Sequence, residues 1–240
     1  MACPPGKHKF TIEGVNYVEK IYEGKTKRVF LKKDGHLIME FKDAVTGTGD
    51  EIDPGGNEVV GQVQDKGRSS LGLTAYFFDI LKDKGVPTHF ISADLSSGMM
   101  EVKQAEALGL EVICRLKSYG SFVRRYPQRT TQYQDLNYLV EITVKDDERG
   151  DPLINDEALL TLGILDEEQL DFLKTTTKSV GRILESTLAG KGLTLIDFKL
   201  EFGLDQGEVT IIDEISGDSM RVLKDNESLS QMELAEVLLG

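Results

Sequence analysis

The sequence predicts an α+β protein of two lobes in which antiparallel sheets pack against helices. Two observations support this prediction: short runs with the period of a strand alternate with turn residues, and two longer segments carry apolar residues at helical spacing. The chain has 240 residues, of which 40% are hydrophobic, so it is long enough to bury a substantial core. It contains no internal repeat and no segment with the composition of a linker.

The first half is predicted to be a meander of strands followed by a helix. Residues 15–41 give three short strand patterns separated by turn residues. The glycine-rich segment 46–61 has neither period, so we expect a loop there. Residues 69–85 carry apolar side chains at helical spacing behind Ser69 and Ser70, which are candidate N-caps.

The second half adds further strands and the longest helix. Strand patterns lie at 88–92, 99–105, 110–116 and 137–145. The basic segment 117–132 is expected to be a loop. With Asp166 as N-cap, apolar residues on one face predict a long helix that ends at Gly190, and a short final helix is expected from about Ser230.

The charge balance restricts the partners of the chain. It carries 28 Lys and Arg against 41 Asp and Glu, a net charge of −13, which argues against a general nucleic-acid surface and against binding to anionic membranes. Cys3 and Cys114 lie far apart without metal-binding spacing, so we expect neither a disulfide framework nor a zinc site. The sequence shows no signal peptide and no apolar run that spans a bilayer, so we expect a soluble protein of the cytoplasm.

The strongest chemical signal is the segment 193–214, LTLIDFKLEFGLDQGEVTIIDE, which is patterned as a strand hairpin. Alternation places Asp197, Lys199 and Glu201 on one face, opposite an apolar face. A three-residue DQG turn would pair Lys199 with Asp213 and bring Asp213 to this charged face, whereas a two-residue turn would direct Asp213 to the apolar face. Two carboxylates beside a lysine suit Mg²⁺. The pattern is equally typical of a solvated strand face with a cross-strand ion pair.

The segment YEGKTKRVF supplies positive charge near a glycine. Gly24 permits a tight bend or the close approach of a ligand, while Lys25 and Lys27 point from one face of the following strand. Two ammonium groups beside a glycine turn suit a polyphosphate. Lysines on strands are also typical edge charges that discourage aggregation.

Two more segments offer groups for an anionic ligand. Arg115 and Ser121 in CRLKSYGSFVRR supply hydrogen-bond donors for a phosphate or carboxylate, and DEISGDSMR ends in Arg221, which suits a substrate clamp. A solvated basic loop and an ordinary charged turn give the same patterns. Taken together, the four segments provide the parts that phosphoryl transfer needs. The three histidines have no acid or nucleophile near them in sequence, which argues against a serine triad.

The motifs YEGKTKRVF, KDDERGDPLIND, LIDFKLEFG and DEISGDSMR, in this order and spacing, resemble the SAICAR synthetase family of purine biosynthesis, over about residues 22–221. The resemblance implies an ATP-dependent ligase that joins L-aspartate to carboxyaminoimidazole ribonucleotide through an acyl phosphate and releases ADP and phosphate. It implies a nucleotide cleft between two lobes, 1–112 for the nucleotide phosphates and 113–240 for substrate and metal, similar to protein kinases and ATP-grasp enzymes. Mg²⁺, ATP as co-substrate and a homodimer are also implied.

The resemblance also implies roles for particular residues. The ATP phosphates would contact Gly24, Lys25 and Lys27. The hinge beside adenine would contain Leu110 and Glu111. Mg²⁺ would bind Glu201 and Asp213, with Glu201 also facing ATP. The catalytic lysines would be Lys145 and Lys199. The ribonucleotide would contact Asp50, Arg115, Ser121 and Arg221.

The chain departs from the family pattern at two places. Gly217 stands where the family commonly has proline, which gives the loop before Arg221 more backbone freedom. Lys117, Ser118 and Tyr119 stand where it often has an arginine and two alanines. A small-molecule kinase on the same fold and a non-catalytic nucleotide-binding protein remain alternatives, and the dependence of ADP release on aspartate separates them from the ligase.

Overall fold

Antiparallel sheets and helices make up the part of the chain that the computed structural model describes, residues 11–12, 15–48, 51–52, 56 and 58–240. The strands are β1 (Thr11–Ile12), β2 (Val15–Glu23), β3 (Lys27–Lys32), β4 (Leu37–Phe41), β5 (Ala44–Thr48), β6 (Glu51–Ile52), β7 (Glu58–Gln62), β8 (Phe90–Asp94), β9 (Met99–Val102), β10 (Glu106–Lys117), β11 (Asp135–Val144), β12 (Leu153–Ile154), β13 (Thr194–Asp205), β14 (Glu208–Ile212), β15 (Met220–Lys224) and β16 (Glu227–Ser228). The helices are α1 (Lys66–Asp83), α2 (Gly120–Arg125), α3 (Asp156–Thr161), α4 (Glu167–Ala189) and α5 (Gln231–Leu239).

The strands form three sheets. The first has the order β1-β2-β3-β4-β9-β8, the second has the order β12-β11-β10-β13-β15-β16 with β14 also paired to β13, and the small third sheet has the order β6-β5-β7. All named neighbours are antiparallel. The predicted α+β class with antiparallel sheets is therefore confirmed. Among the described helices, none combines the length and the apolar character needed to cross a bilayer.

Strand β13 changes partner halfway along its length. Its first half pairs with β15 and its second half with β14. The chain between these two partners, residues 213–219, therefore lies beside the middle of β13, where the Lys199 amide donates a hydrogen bond of 2.8 Å to the Ser219 carbonyl oxygen. This crossover brings the polar segment after the hairpin next to the charged face of β13.

One apolar core joins the two large sheets. The buried cluster runs from Met39 of β4 and Phe77 of α1 to Leu184 of α4 and Phe198 of β13. Strand β10 lies at the centre of the second sheet, between β11 and β13, and the predicted lobe boundary after residue 112 falls inside it. The first and second sheets are thus held at a fixed separation by shared packing.

Three local predictions differ from the structure. Helix α1 begins at Lys66, so Ser69 and Ser70 lie inside it and do not cap it. The Ser69 hydroxyl instead donates to the Gln231 carbonyl oxygen at 3.5 Å, and the Ser70 hydroxyl donates to Asp218 at 3.2 Å. The expected loop 46–61 contributes to the small third sheet. The basic segment 117–132 contains helix α2, and α3 was not predicted from the sequence.

The predicted DQG turn of the hairpin is also wrong. Asp205 pairs with Glu208, so the turn has two residues, Gln206 and Gly207, with φ of 53° and 92°. Two consecutive residues with positive φ match the twist of an antiparallel pair, and glycine adopts this conformation without steric cost. Glu201 therefore pairs with Ile212, and the expected pairing of Lys199 with Asp213 does not form.

The predicted helices that follow Asp166 and Ser230 are confirmed. Asp166 caps α4 in a capping box with Gln169, and Ser230 caps α5 in a capping box with Glu233. In both cases a short polar side chain accepts from the third helical amide while that residue's own side chain returns the bond. A capping box involves residues only three positions apart, so its effect on the start of a helix does not depend on what the helix packs against.

Replacement of Leu184 by alanine should test the shared core. Leu184 is 0% exposed, so Leu184→Ala removes buried methyl groups and leaves a cavity; we expect a loss of about 2–5 kcal/mol in the free energy of unfolding. The matched control is Leu162→Ala, since Leu162 is 68% exposed and its loss should cost less than about 0.5 kcal/mol. Urea unfolding followed by circular dichroism measures both, and equal losses would contradict the core described here.

Candidate active site

A cluster of opposite charges forms where the first sheet meets the hairpin of the second. Lys27 opens β3, and its Nζ lies 2.7 Å from Asp213 Oδ1 and 2.5 Å from Glu214 Oε1. On β13, Glu201 forms an ion pair with Lys145, which follows β11. Residues that are far apart in sequence therefore meet in one charged cluster, which lies between the two sheets.

Asp213 reaches this cluster by a route that strand alternation does not predict. A two-residue turn directs position 213 to the apolar face, but Asp213 lies one residue beyond β14 and has φ of 69°. The left-handed backbone turns its carboxylate toward Lys27. The sequence prediction was therefore wrong about the register, although the structure brings Asp213 to the side of Glu201.

His89 supports this unusual backbone. Its Nε2 lies 3.2 Å from the Asp213 carbonyl oxygen. Because a carbonyl oxygen only accepts, Nε2 carries the hydrogen and donates it. Burial lowers the pKa of His89 to about 4, so the ring is neutral at physiological pH. No sequence pattern indicates this contact, since the two residues are 124 positions apart along the chain.

The two carboxylates have different electrostatic surroundings. Burial, reinforced by the negative charge of Asp213, raises the pKa of Glu201. Burial acts in the same direction on Asp213, but the ammonium groups of Lys27 and Lys145 outweigh it and hold the pKa of Asp213 at about 2. Asp213 is therefore ionised throughout the physiological range, while the charge of Glu201 depends on the cations around it.

A cavity of about 120 Å³ lies over this cluster, and we call it the lysine cavity. Among the residues that line it are Gly24, Lys25, Lys27, Glu111, Lys145, Lys199, Glu201 and Asp213. Lys25 pairs with Asp147 at 2.9 Å, and Lys199 pairs with Glu111 at 2.7 Å. Nearly every charge in the cavity thus has an opposite charge beside it before any ligand binds. Leu110, by contrast, is buried in the core.

A second cavity of about 280 Å³ adjoins the first, and we call it the arginine cavity. Its lining includes Arg115, Ser121, Arg124, Asp197, Lys199 and Arg221. Asp197 is buried between two guanidinium groups, accepting from Arg115 Nη1 at 3.1 Å and from Arg221 Nη1 at 3.0 Å. Lys199 lines both cavities, so the two share one charged face of β13.

Arg115 is largely occupied by the protein itself. It is only 3% exposed, and it donates from Nε to Glu141 at 2.6 Å, from Nη1 to Asp197 and from Nη2 to Ser121 at 3.3 Å. Three of its five N–H groups are therefore engaged, which leaves two. Arg221 lies over the ring of Tyr119, 5.6 Å from its centroid, and Tyr119 stacks on Tyr133. Tyr119, one of the residues that depart from the family pattern, thus supports Arg221 of the arginine cavity.

The glycine at position 217 is explained by close packing. A Cβ there would lie 2.3 Å from Gln231 Oε1 and 2.9 Å from its Cα, so the first residue of α5 requires a glycine opposite it. The backbone freedom expected for the loop before Arg221 is also limited, since the Asp218 amide donates to the Ser216 hydroxyl at 3.1 Å.

Asp218 in turn pairs with Lys66, which is 1% exposed and which sequence reasoning missed. Asp50 lies outside the described residues.

Comparisons with known proteins agree on one family. The sequence model of that family, described as SAICAR synthetase, matches residues 20–234. A phosphoribosylaminoimidazole-succinocarboxamide synthase of Clostridium tetani is 44% identical over 223 residues, 91% of this chain and 98% of the relative. One of Caldivirga maquilingensis is 40% identical over 88% of this chain and 85% of the relative.

Solved structures of such enzymes have the same fold. The crystal structure of the synthase from Ehrlichia chaffeensis matches with a TM-score of 0.83 and 28% identity, over 92% of this chain and 98% of that one. A SAICAR synthetase in complex with ADP matches with a TM-score of 0.79 and 33% identity, over 88% of each chain.

Removal of the Lys27 ammonium should show how strongly the cluster depends on it. Lys27→Met leaves buried carboxylates without their partner, so we expect the free energy of unfolding to fall by about 3–5 kcal/mol near neutral pH in EDTA. Lys20→Met is the matched control, because Lys20 pairs with Glu23 at the surface and such a pair contributes at most about 1 kcal/mol.

The deficit of Lys27→Met should shrink in acid. Lys27 is a main cause of the low pKa of Asp213, and without it burial favours the protonated carboxyl group. A folded-state pKa raised above the unfolded value costs stability at high pH, and this cost disappears as pH falls. Urea titrations at about pH 7.5 and about pH 5 measure the change, and a deficit that stays constant or grows toward pH 5 would contradict this origin.

Proposed function

The chain belongs to the SAICAR synthetase family, and from this premise we propose how its two cavities divide the family's reaction. The activity is that of an ATP-dependent carbon–nitrogen ligase of purine biosynthesis. The observation that carries the assignment of residues is the charged cluster, in which two carboxylates of one hairpin face Lys27 from the other sheet and Lys145 from the end of β11. In the proposal, the lysine cavity binds the phosphates of ATP and the arginine cavity binds the ribonucleotide.

The contacts to ATP follow from the lining of the lysine cavity. Gly24, Lys25 and Lys27 line this cavity and would contact the phosphates. A related SAICAR synthetase has been solved in complex with ADP, which supports a nucleotide site in this chain. Lys145 would lie over the group being transferred. Each lysine already faces a carboxylate, so the phosphates replace existing anionic partners and no ammonium group has to be brought from elsewhere. This arrangement is preorganised, which favours electrostatic stabilisation.

The donor set of the lysine cavity fits a magnesium ion. Mg²⁺ is usually held by one or two carboxylates together with phosphate oxygens. Glu201 and Asp213 supply two carboxylates. Burial, and after it the negative charge of Asp213, raises the pKa of Glu201, and a divalent cation beside both carboxylates would offset these costs. We therefore assign both as metal ligands. When bound, the ion neutralises charge on the transferring phosphoryl group.

The chemistry begins by making a carboxylate electrophilic. A carboxylate oxygen of the carboxyaminoimidazole ribonucleotide attacks the γ-phosphorus of ATP, the bond from that phosphorus to the bridging oxygen breaks, and ADP leaves with the electron pair. The product is an acyl phosphate. The amine of L-aspartate then attacks the acyl carbon, phosphate leaves, and the nitrogen loses a proton to form the amide. No side chain of the protein forms a covalent bond in either step.

Lys199 is placed to act between the two binding sites. It lines both cavities and is held by Glu111 at 2.7 Å. Its ammonium group would stabilise the negative charge that moves from the carboxylate to the acyl phosphate. Ser121, Arg221 and the two remaining donors of Arg115 would hold the ribonucleotide, with Asp197 fixing both guanidinium groups.

Several features of the proposal depend on the family resemblance. These are the division into lobes 1–112 and 113–240, the likeness to kinases and ATP-grasp enzymes, the hinge at Leu110 and Glu111, the part of Asp50, and the homodimer. Because the Leu110 side chain is buried in the core, a hinge contact with adenine would have to use its backbone.

Release of ADP should require every substrate. In a coupled assay we expect turnover only with ATP, the ribonucleotide and L-aspartate together, because the amine is needed to discharge the acyl phosphate. The assay omits one co-substrate at a time. Sustained ADP release without aspartate would instead indicate a kinase, and ATP binding without any turnover would indicate a nucleotide-binding protein.

Neutral analogues of the two metal ligands should lose most of the activity. Glu201→Gln and Asp213→Asn keep the shape of the side chain and remove its charge, so we expect kcat to fall by about 10²–10³-fold in saturating magnesium. Glu208→Gln is the control, since Glu208 lies exposed at the turn of the same hairpin. Near-normal turnover of either ligand variant would rule out the assignment.

A further inference from the structure

We infer that His89 is a positioning residue for the proposed metal ligand Asp213, because its side chain holds the backbone of that residue. The inference rests on the proposed function, in which Glu201 and Asp213 bind Mg²⁺. His89 lies immediately before β8, an edge strand of the first sheet, whereas Glu201 lies in β13 and Asp213 directly after β14, in the second sheet. His89 is not part of the lining described for the lysine cavity, so it would act on the ion only through Asp213.

Backbone hydrogen bonds join the start of β8 to the end of β14. Thr88 forms a parallel bridge with Ile211. The Ile211 amide donates to the Pro87 carbonyl oxygen at 3.1 Å, and the His89 amide donates to the Ile211 carbonyl oxygen at 2.9 Å. Replacement of the His89 side chain by another non-proline side chain keeps these donors and acceptors. A substitution at this position therefore isolates the contribution of the ring.

Asp213 needs a further contact because its own backbone conformation is uncommon. Its φ of 69° lies in the left-handed region, which residues other than glycine seldom occupy, although aspartate tolerates it better than most. A residue keeps such a conformation only when its surroundings fix it. The His89 ring supplies this contact, since Nε2 donates to the Asp213 carbonyl oxygen at 3.2 Å. The bond fixes the direction of that carbonyl group and so restrains the backbone angle ψ of Asp213.

The His89 ring is itself held in place by packing. It is 4% exposed, and it meets the ring of Phe78 edge to face, with the centroids 5.9 Å apart. Phe78 belongs to α1 and is fully buried in the shared core. Because such a core is close-packed, the ring has little freedom to follow Asp213 if that residue moves. The ring is therefore a fixed donor, which is what a positioning residue requires.

The direction of the Asp213 carboxylate decides whether the two carboxylates can share an ion. Strand alternation alone would direct position 213 to the apolar face, and the left-handed backbone instead turns the carboxylate toward Lys27. Without the bond from His89, Asp213 can relax toward a negative φ, which moves its carboxylate away from Glu201. Loss of a residue that orients a metal ligand typically weakens binding of the ion by about 10–100-fold.

Removal of the donor tests the inference. His89→Leu and His89→Met keep a buried apolar side chain and remove the N–H group. With saturating ADP, we expect binding of Mn²⁺, which prefers the same oxygen donors as Mg²⁺, to weaken at least about 10-fold. The electron paramagnetic resonance signal of the free ion measures this binding. The KM for the ribonucleotide should stay at its wild-type value, since neither His89 nor Asp213 is part of the lining described for the arginine cavity.

Two further variants separate positioning from general damage to the fold. His89→Gln keeps a side-chain N–H donor, so it should recover most of the affinity for Mn²⁺. Phe90→Leu is the matched control, because Phe90 packs on the same Phe78 ring, with centroids 5.6 Å apart, and its replacement leaves the bond to Asp213 intact. It should lower the free energy of unfolding, measured with urea in EDTA, without weakening the binding of Mn²⁺.

The inference is wrong if the donor-free variants bind Mn²⁺ as tightly as wild type, or if Phe90→Leu weakens binding as much as they do. It is equally wrong if His89→Gln binds Mn²⁺ weakly, and this variant alone decides if neither donor-free variant folds. Asp213→Asn tests the proposed function separately. Wild-type affinity of Asp213→Asn for Mn²⁺ would show that Asp213 is not a metal ligand, whereas loss of the ion in Asp213→Asn but not in His89→Leu would overturn the inference alone.

Discussion

The buried ammonium group of Lys27, held between Asp213 and Glu214, is the interaction on which the site depends. A lysine removed from water is stable only with anionic partners in place, and the same holds for the carboxylates. Since Lys27 belongs to the first sheet and its partners follow a strand of the second, the pairs fix the distance between the sheets. The cleft is therefore preorganised by electrostatics as well as by packing.

This arrangement explains how a dense group of charges can remain folded without its ligands. Lys145 and Glu201 repeat the pattern of Lys27 and Asp213, so cations and anions balance across the cleft. Binding of a magnesium nucleotide would exchange partners: phosphates would take the lysines, and the metal would take the carboxylates. The number of unpaired buried charges would stay near zero throughout, which keeps the electrostatic cost of binding low.

The sequence predicts the features that depend on residues close together along the chain, and it does not predict those that depend on contacts between remote residues. The meander 15–41 and the helices capped by Asp166 and Ser230 depend on local pattern, and they were predicted. The place of Asp213 depends on the turn type and on a left-handed residue just past the strand, which alternation does not encode. His89 and Lys66 act on partners more than a hundred residues away, so no motif identified them.

The alternating charges of β13 set the spacing of the reaction. Asp197, Lys199 and Glu201 lie two residues apart on one face, about 7 Å from one to the next in an extended strand. Asp197 orders the arginines, Lys199 lines both cavities, and Glu201 joins the charged cluster around Lys27 and Lys145. The arginine cavity and the lysine cavity, our proposed sites for the ribonucleotide and the ATP phosphates, are thus separated by a fixed length of backbone, with the ammonium group of Lys199 midway between them. A shift of one residue in register would turn all three side chains into the apolar core, so the pairing that folds the sheet also places the charged groups of both cavities.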